Sequence, residues 1–250
     1  MTPTKKTYFA SDIHLGNRYM PDAPESEKKL LRWLDSIKND AAAVWFLGDI
    51  FDYWYEYKYV VPRGHVRFLG KLAELSDLGI EIHLFTGNHD IWMFDYLPGE
   101  TGAVIHREPL AVELSGQKFF LGHGDEVGYR PLIYRIIQRI FRNRACQRLY
   151  VTVHPRWTFG FARRWSLSSR KNVPAAAKRP DGRAKYLEEF AESYLASHPG
   201  IRFFIFGHLH ILLDKKLPPG EARLLVIGDW MRFFSYAEWD GSKLELKQFI

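Results

Sequence analysis

The sequence is poor in cysteine and has no long apolar run. Its only cysteine is Cys146, so no intramolecular disulfide forms, and we expect a reducing compartment such as the cytoplasm. No window of about 18 uncharged apolar residues is present, and the apolar residues near the N-terminus are too few for a signal peptide. We therefore expect neither a secreted nor a membrane-spanning protein.

The composition is that of a chain able to bury a full core. Of the 250 residues, 46% are hydrophobic and 16% are aromatic, which excludes a disordered, collagen-like or mini-protein class. This length is within the range of one large domain, and we expect a single domain over residues 1–250.

The formal charge of +6 is unevenly distributed along the chain. Between Val127 and Tyr186 there are 15 Lys and Arg residues and one acid, Asp181, whereas the remainder has 20 basic and 28 acidic residues. The chain therefore consists of an acidic body with a basic insertion. This asymmetry predicts an anionic surface or ligand as a partner.

Apolar runs and helical repeats alternate in the first 90 residues. Residues 6–9, 43–47 and 80–85 are typical of strands, and apolar residues recur at helical spacing in 25–37 and 65–78. Alternation of strands and helices predicts a parallel sheet whose ligand site lies at the carboxyl ends of its strands.

The remaining sequence predicts a second group of strands. Residues 111–114 and 118–121 form a predicted hairpin, 201–206 and 223–227 predict buried strands, and a final hairpin turns at Asp240-Gly241. We therefore expect an α/β fold in which two mixed sheets pack face to face as a β-sandwich flanked by helices.

Residues with metal-binding side chains follow five of the apolar runs. They are Asp12, His14, Asp49, Asn88, His89, Asp90, His123, His208 and His210. In an extended backbone, the Asp12-x-His14 spacing would place both side chains on one side. Glycines precede four of these groups and permit close backbone approach; they are Gly48, Gly87, Gly122 and Gly207.

The mixture of carboxylate, imidazole and amide side chains suits Mn²⁺, Fe²⁺ or Zn²⁺, and it offers too many ligands for one tetrahedral site. We therefore predict two divalent ions that share one carboxylate. Two such ions, about 3.5–4 Å apart, clamp a phosphoryl group and lower the pKa of a shared water. The predicted reaction is hydrolysis of a phosphoester or phosphoanhydride.

The series of motifs resembles the five-motif signature of calcineurin-like metallophosphoesterases over nearly the whole chain. Its motifs are Asp12-x-His14, Gly48-Asp49, Gly87-Asn88-His89-Asp90, Gly122-His123 and Gly207-His208-x-His210. The resemblance implies one metal bound by Asp12, His14, Asp49 and His210, and another bound by Asp49, Asn88, His123 and His208. Mn²⁺ is the ion that we expect.

The same resemblance implies roles for two further residues. His89 would serve as the acid or electrostatic partner of the leaving oxygen, and Asp90 would orient the His89 ring. The alternative for Asp90 is a carboxylate that caps a turn.

Between His123 and His208 lie 84 residues, more than a strand-helix connection requires. Four isoleucines recur there at helical spacing, and three arginines share another face of the same helix. The isoleucines are Ile133, Ile136, Ile137 and Ile140, and the arginines are Arg135, Arg139 and Arg142. Such a basic amphipathic helix is typical of a membrane surface, with the arginines on anionic headgroups. The alternatives are an apolar stripe that packs on the body, and binding of single-stranded nucleic acid.

A helical, basic insertion between the fourth and fifth motifs, followed by Gly228-Asp229-Trp230, is similar to UDP-2,3-diacylglucosamine diphosphatases of lipid A biosynthesis. In that family the insertion is a lid over the acyl chains and docks on the inner membrane. The chain departs from the best-known branch, which has arginine at the position of His89.

This narrower resemblance implies cleavage of UDP-2,3-diacylglucosamine to UMP and 2,3-diacylglucosamine 1-phosphate by a peripheral enzyme on the cytoplasmic face of the membrane. It places a helical lid at about 126–195. The residues implied in substrate binding are Asn88, His89, Ser169, Arg170 and Asn172. Nucleic acid and an obligate protein partner are not expected. The alternatives are a metallophosphoesterase of other specificity, such as a nucleotide phosphodiesterase, nuclease or protein phosphatase, and a non-catalytic metal-binding or membrane-binding module.

Overall fold

A computed structural model describes residues 5–17, 23–128, 132–155, 157–158, 160 and 180–250. The strands are β1 Lys6–Ala10, β2 Ala41–Phe46, β3 Glu81–Phe85, β4 Val104–His106, β5 Leu110–Leu114, β6 Gln117–Leu121, β7 Ile201–Phe206, β8 Leu212–Lys216, β9 Arg223–Ile227, β10 Ser235–Trp239 and β11 Leu244–Gln248. The helices are α1 Ala23–Ile37, α2 Val66–Asp77, α3 Tyr96–Thr101, α4 Leu132–Arg142, α5 Arg144–Val151 and α6 Pro180–Ser197.

The strands form two mixed sheets. The first has six strands in the order β11-β10-β1-β2-β3-β4, and the second has five in the order β5-β6-β7-β9-β8. Strands β1 to β4 are mutually parallel, as are β6, β7 and β9, while the remaining strands pair antiparallel. The predicted α/β architecture of two packed sheets with flanking helices is therefore confirmed.

Alternation of side chains along the strands divides the interior into three layers. Phe9 and Trp45 point toward the second sheet and meet Phe119 and Phe203 in the layer between the sheets. Tyr8 and Phe46 point the other way, against α1 and α2. Because both faces of β2 are covered, its sequence is almost continuously apolar rather than alternating.

The second sheet is covered by α6, whose Ala184, Leu187 and Ala191 are buried against Phe204 and Phe206. This packing corrects one prediction. The insertion was expected to extend to about residue 195, yet α6 belongs to the body. The exposed part of the insertion in the described residues is therefore α4 and α5 with the turn that follows them.

None of the helices in the described part of the chain is long and apolar enough to cross a membrane. The N-terminal ends of the parallel strands and their carboxyl ends lie at opposite edges of the sheets. The carboxyl ends of β1, β2, β3, β6 and β7 lead into the loops that carry the motifs.

Candidate metal centre

Backbone hydrogen bonds join four of the five motif loops in two pairs. The Asp12 amide donates to the Gly48 carbonyl at 3.1 Å and the His14 amide to the Asp49 carbonyl at 2.9 Å, which joins the loops after β1 and β2. The Gly207 amide donates to the His123 carbonyl at 2.9 Å, which joins the loops after β6 and β7. The motif side chains are therefore held by a backbone network as well as by the sheets.

Five of the motif residues have left-handed backbone conformations, with φ between 50° and 66°; they are Asp12, His14, Asp49, His208 and His210. Non-glycine residues rarely adopt this conformation, and it is concentrated at functional sites. The prediction that Asp12 and His14 share a side because their backbone is extended is therefore wrong. They lie together because two left-handed residues turn the loop.

Two of the predicted glycines are required by close approach. A Cβ atom at Gly87 would collide with the backbone and carboxylate of Asp49, and one at Gly207 would collide with Ser11 and with the Asp12 carboxylate. Any larger residue at either position would displace a carboxylate from the centre.

Each of the two central carboxylates has one oxygen held by the protein backbone. Asp12 Oδ2 accepts hydrogen bonds from the His208 amide at 2.8 Å and from Ser11 Oγ at 2.7 Å. Asp49 Oδ1 accepts from the His89 amide at 2.9 Å. The other oxygens face the imidazoles, with Asp49 Oδ2 3.4 Å from His123 Nε2 and Asp12 Oδ1 3.4 Å from His210 Nε2.

The imidazoles are oriented through their outer nitrogens. His123 Nδ1 lies 2.7 Å from the Leu47 carbonyl, and His210 Nδ1 lies 3.2 Å from Asp229 Oδ2. His14 Nδ1 lies 3.5 Å from Asp52 Oδ1. Such partners fix which nitrogen is presented to a metal. The sequence analysis did not identify Asp52 and Asp229 as partners, although Asp52 comes three residues after Asp49 and Asp229 is part of Gly228-Asp229-Trp230.

The donor atoms form three compact groups in which all atoms lie within 4.8 Å of one another. The groups are Asp12, His14 and His210; Asp49, His123 and His208; and His14, Asp49 and His89. In the part of the chain that the structure describes, Asp12 Oδ1 and His123 Nε2 are buried and lack a hydrogen-bond partner. Buried polar atoms are normally satisfied, so these two fit a divalent ion.

The electrostatics of the centre favour a charged Asp49 carboxylate. Burial opposes ionisation of Asp49, but the imidazoles of His123, His89 and His14 outweigh burial and hold the pKa of this carboxyl well below its usual range. Burial alone would lower the pKa of His123, but Asp49 raises it well above the usual value. Burial lowers the pKa of His208 to about 4, so this ring is a neutral donor. A divalent ion would replace the proton that His123 otherwise shares with this anionic site.

His89 belongs to the donor group of His14 and Asp49, and its ring lies edge-on to that of His14 at a centroid distance of 4.8 Å. The prediction that Asp90 orients this ring is wrong. His89 Nδ1 lies 3.1 Å from the Asp52 carbonyl. Asp90 is buried, and its carboxylate accepts the backbone amides of Gly87, Ile50 and Phe51 at 2.7, 2.7 and 3.1 Å. Asp90 therefore joins the loops after β2 and β3. This role agrees with the alternative interpretation of Asp90 as a carboxylate that caps a turn.

Asn88, the amide ligand that the family pattern implies, lies between Gly87 and His89 and is exposed. Three residues predicted to bind substrate lie outside the described residues; they are Ser169, Arg170 and Asn172.

The predicted amphipathic helix is present as α4, and its apolar stripe is exposed. Ile133, Ile136 and Ile140 have exposed fractions of 65%, 42% and 47%. The fourth isoleucine, Ile137, is half-buried. Most of the stripe therefore does not pack on the body, which the alternative interpretation required. The three arginines of the other face line a groove of about 840 Å³ that also contains Glu108 and Glu126; they are Arg135, Arg139 and Arg142.

Comparison with known proteins places this geometry in a family. Residues 5–212 match the calcineurin-like phosphoesterases. The chain is 49% identical to a UDP-2,3-diacylglucosamine hydrolase of Porphyromonas gingivalis, with 97% of each chain covered. It is 28% identical to the enzyme of the same name from Hahella chejuensis, covering 95% of this chain and 96% of that one. Among solved structures, the Escherichia coli phosphoesterase Yfce is similar, with 17% identity, a TM-score of 0.48, and coverage of 98% of this chain and 93% of that one. The protein belongs to the calcineurin-like phosphoesterase family.

Proposed function

We propose that this protein hydrolyses the pyrophosphate bond of UDP-2,3-diacylglucosamine to give UMP and 2,3-diacylglucosamine 1-phosphate. The observation that carries the proposal is the 49% identity, over 97% of both chains, to the Porphyromonas gingivalis UDP-2,3-diacylglucosamine hydrolase. The match covers almost the full length and therefore includes the insertion. The insertion is the part of the chain proposed to contact the acyl chains, which other phosphoesters lack. A lipid A pathway hydrolase follows from it.

Two divalent ions would be held by the grouped donors. Asp12, His14 and His210 would bind one and His123 and His208 the other. Asp49 would be shared, because it is grouped with His123 and His208 and also lies close to His14 of the first set. Asn88 completes the second set in the family pattern. When bound, the ions polarise phosphoryl oxygens and lower the pKa of water. We propose Mn²⁺ as the native ion because the set mixes hard carboxylates with imidazoles.

His89 is the proposed proton donor to the leaving oxygen. Its Nδ1 faces the Asp52 carbonyl, an acceptor, so Nδ1 carries a proton and only Nε2 is available to transfer one. Asp49 accepts the His89 amide and therefore fixes this residue beside the donors. Asp90 contributes by position, since it joins the loop of His89 to the loop of Asp49.

We further propose one phosphoesterase domain over residues 1–250 that docks peripherally on the cytoplasmic face of the cell membrane. The exposed isoleucines of α4 would enter the acyl boundary, and the basic residues of the insertion would attract anionic headgroups. Ser169, Arg170 and Asn172 are proposed to contact the nucleotide or sugar part of the substrate on the strength of the family resemblance.

The test is a parallel assay of the purified protein with Mn²⁺. UDP-2,3-diacylglucosamine in anionic vesicles, a nucleotide diester and single-stranded DNA are offered separately. We expect UMP release from the first at a kcat/KM at least about 10²-fold above the others, since correct contacts are worth several kcal/mol. Preferred cleavage of DNA with a steep salt dependence would support a nuclease instead.

A further inference from the structure

Three tyrosines alternate along the segment that follows the loop of Asp49. Tyr53, Tyr55 and Tyr57 each direct a hydroxyl group to the insertion, while the intervening Trp54 and Glu56 are buried in the body. We call these three residues the tyrosine ladder. Alternation with period two is what gives one extended segment two faces with different partners.

The ladder makes three hydrogen bonds, two to α5 and one to Thr158 beyond it. The hydroxyl of Tyr53 lies 3.1 Å from that of Tyr150, and Tyr55 donates to the Gln147 carbonyl at 2.9 Å. Tyr57 lies 2.8 Å from Thr158 Oγ1. Because Thr158 Oγ1 donates to the Pro155 carbonyl at 3.0 Å, the Tyr57 hydroxyl is the donor to Thr158.

Aromatic packing surrounds these bonds. Tyr150 stacks on Trp92 at a centroid distance of 5.1 Å and contacts Tyr55 at 5.0 Å. Trp92 Nε1 also donates to the Phe141 carbonyl at 2.9 Å, at the end of α4. The partners of the ladder thus reach both helices of the insertion. Helix α4 is also joined to the body by Gln138, which donates to Asp125 Oδ2 at 2.7 Å, and by Arg142, which donates to the Arg107 carbonyl at 2.8 Å.

At its other end the ladder begins at the metal centre. Tyr53 follows Asp52, whose carbonyl lies 3.1 Å from His89 Nδ1. Phe51 and Ile50, just before it, are bound by the Asp90 carboxylate. Tyr55 and Trp92 form a parallel bridge, so the segments that leave the Asp49 and His89 loops run side by side toward the insertion.

We propose that the tyrosine ladder is a positioning device that seats the insertion relative to the metal centre. Its hydroxyls do not touch the reacting atoms. They hold α4 and α5 in place, so that a substrate gripped by the insertion is presented to His89 and the donor groups. The substrate half of this proposal rests on the proposed function, whereas the structural half does not.

The test compares a triple variant, Tyr53→Phe with Tyr55→Phe and Tyr57→Phe, with the control Tyr8→Phe. The triple variant keeps every ring and removes three hydroxyls. Tyr8→Phe removes one partly buried hydroxyl bond, to Asp40, from a tyrosine on β1. Hydrogen exchange of the peptides covering 132–151 is the first readout. Each hydrogen bond is worth about a factor of five, so we expect exchange at least about tenfold faster in the triple variant and unchanged in the control.

The second readout is kinetic. For UDP-2,3-diacylglucosamine in vesicles we expect kcat/KM to fall about tenfold, and for bis(p-nitrophenyl) phosphate to stay within about twofold, with unchanged metal content. Thr158→Val, which removes a partner hydroxyl from the insertion side at constant shape, should move both readouts in the same direction by less.

Unchanged exchange at 132–151 would overturn the proposal, whatever the substrate. Equal loss on both substrates would also overturn it, because the ladder would then support the metal centre itself. If the wild-type protein does not cleave the lipid, the proposed function fails, and the exchange experiment still decides the ladder.

Discussion

The motif loops and the insertion differ in how their residues are held. The loops carry buried charged groups, left-handed backbone and backbone hydrogen bonds that cross from one strand end to the next. The insertion shows the reverse, since α5 contains no buried residue and α4 exposes its isoleucines. The comparison teaches that the residues proposed to do chemistry are held by backbone and side-chain contacts together, while the described part of the insertion is held through a few side chains.

Replacing the shared carboxylate of Asp49 should cause the largest loss of activity and of bound metal in the motif loops. Asp49→Asn is expected to lower kcat/KM by at least about 10³-fold and to reduce bound metal, because one neutral amide replaces the anion common to two donor groups. Metal analysis and steady-state kinetics measure both. The exposed Asp77→Asn is the matched control. Full turnover with two bound ions in Asp49→Asn would refute the shared role.

His89→Ala should separate chemistry from metal binding within the same region. We expect a loss of about 10²–10⁴-fold in kcat with both ions retained, the usual range for a positioned acid. His89 belongs to one of the donor groups, so metal analysis is decisive here. Loss of an ion would make His89 a ligand instead of the acid. The exposed His198→Ala is the control.

Changes in the insertion should affect membrane binding and leave the chemistry intact. Replacing Ile133, Ile136 and Ile140 by Ser removes about 1 kcal/mol of burial each, so binding to anionic vesicles should weaken by about 10²-fold. Hydrolysis of a small soluble diester should hold. Val66→Ser, an exposed apolar residue outside the insertion, is the control.

The corresponding charge variant replaces Arg135, Arg139 and Arg142 by Gln. A loss of about two orders of magnitude in vesicle binding is expected, at about 1 kcal/mol per charge. Arg142 also donates to the Arg107 carbonyl at 2.8 Å, so this variant additionally tests how α4 is attached to the body. A parallel fall in diester hydrolysis would contradict the assignment of these residues to the membrane.

Acid should lower the free energy of unfolding through His65, a half-buried histidine outside the motifs. Burial lowers the pKa of His65 to about 4, beside Phe51. Because the unfolded state takes up the proton first, stability is complete above about pH 6.5 and falls as the pH drops toward 4. We expect a loss of about 1–2 kcal/mol between pH 7.5 and 5, measured by urea unfolding. His65→Asn, which tolerates the left-handed backbone there, should flatten this dependence.

Particular residues show how far the sequence could predict the structure. The loops of Asp49 and His123 were placed correctly because apolar runs ended at them and parallel strands share an edge. The partners Asp52 and Asp229 were not identified, since sequence spacing does not reveal which ring a carboxylate faces. The expectation of extended backbone at Asp12 and His14 was wrong because single residues with left-handed φ produce no periodic pattern in the sequence. The exposure of Ile136 could not be predicted either, because an apolar stripe that packs on the body and one that docks on a membrane have the same helical period.

Hydrolysis of UDP-2,3-diacylglucosamine by the Mn²⁺-loaded protein in ¹⁸O-labelled water tests the central claim most directly. We predict UMP and 2,3-diacylglucosamine 1-phosphate in equal amounts, with about one labelled oxygen per turnover in only one of the two products, because water attacks one phosphorus. Absence of UMP while a nucleotide diester or DNA is cleaved, or release of free phosphate instead, would contradict the account.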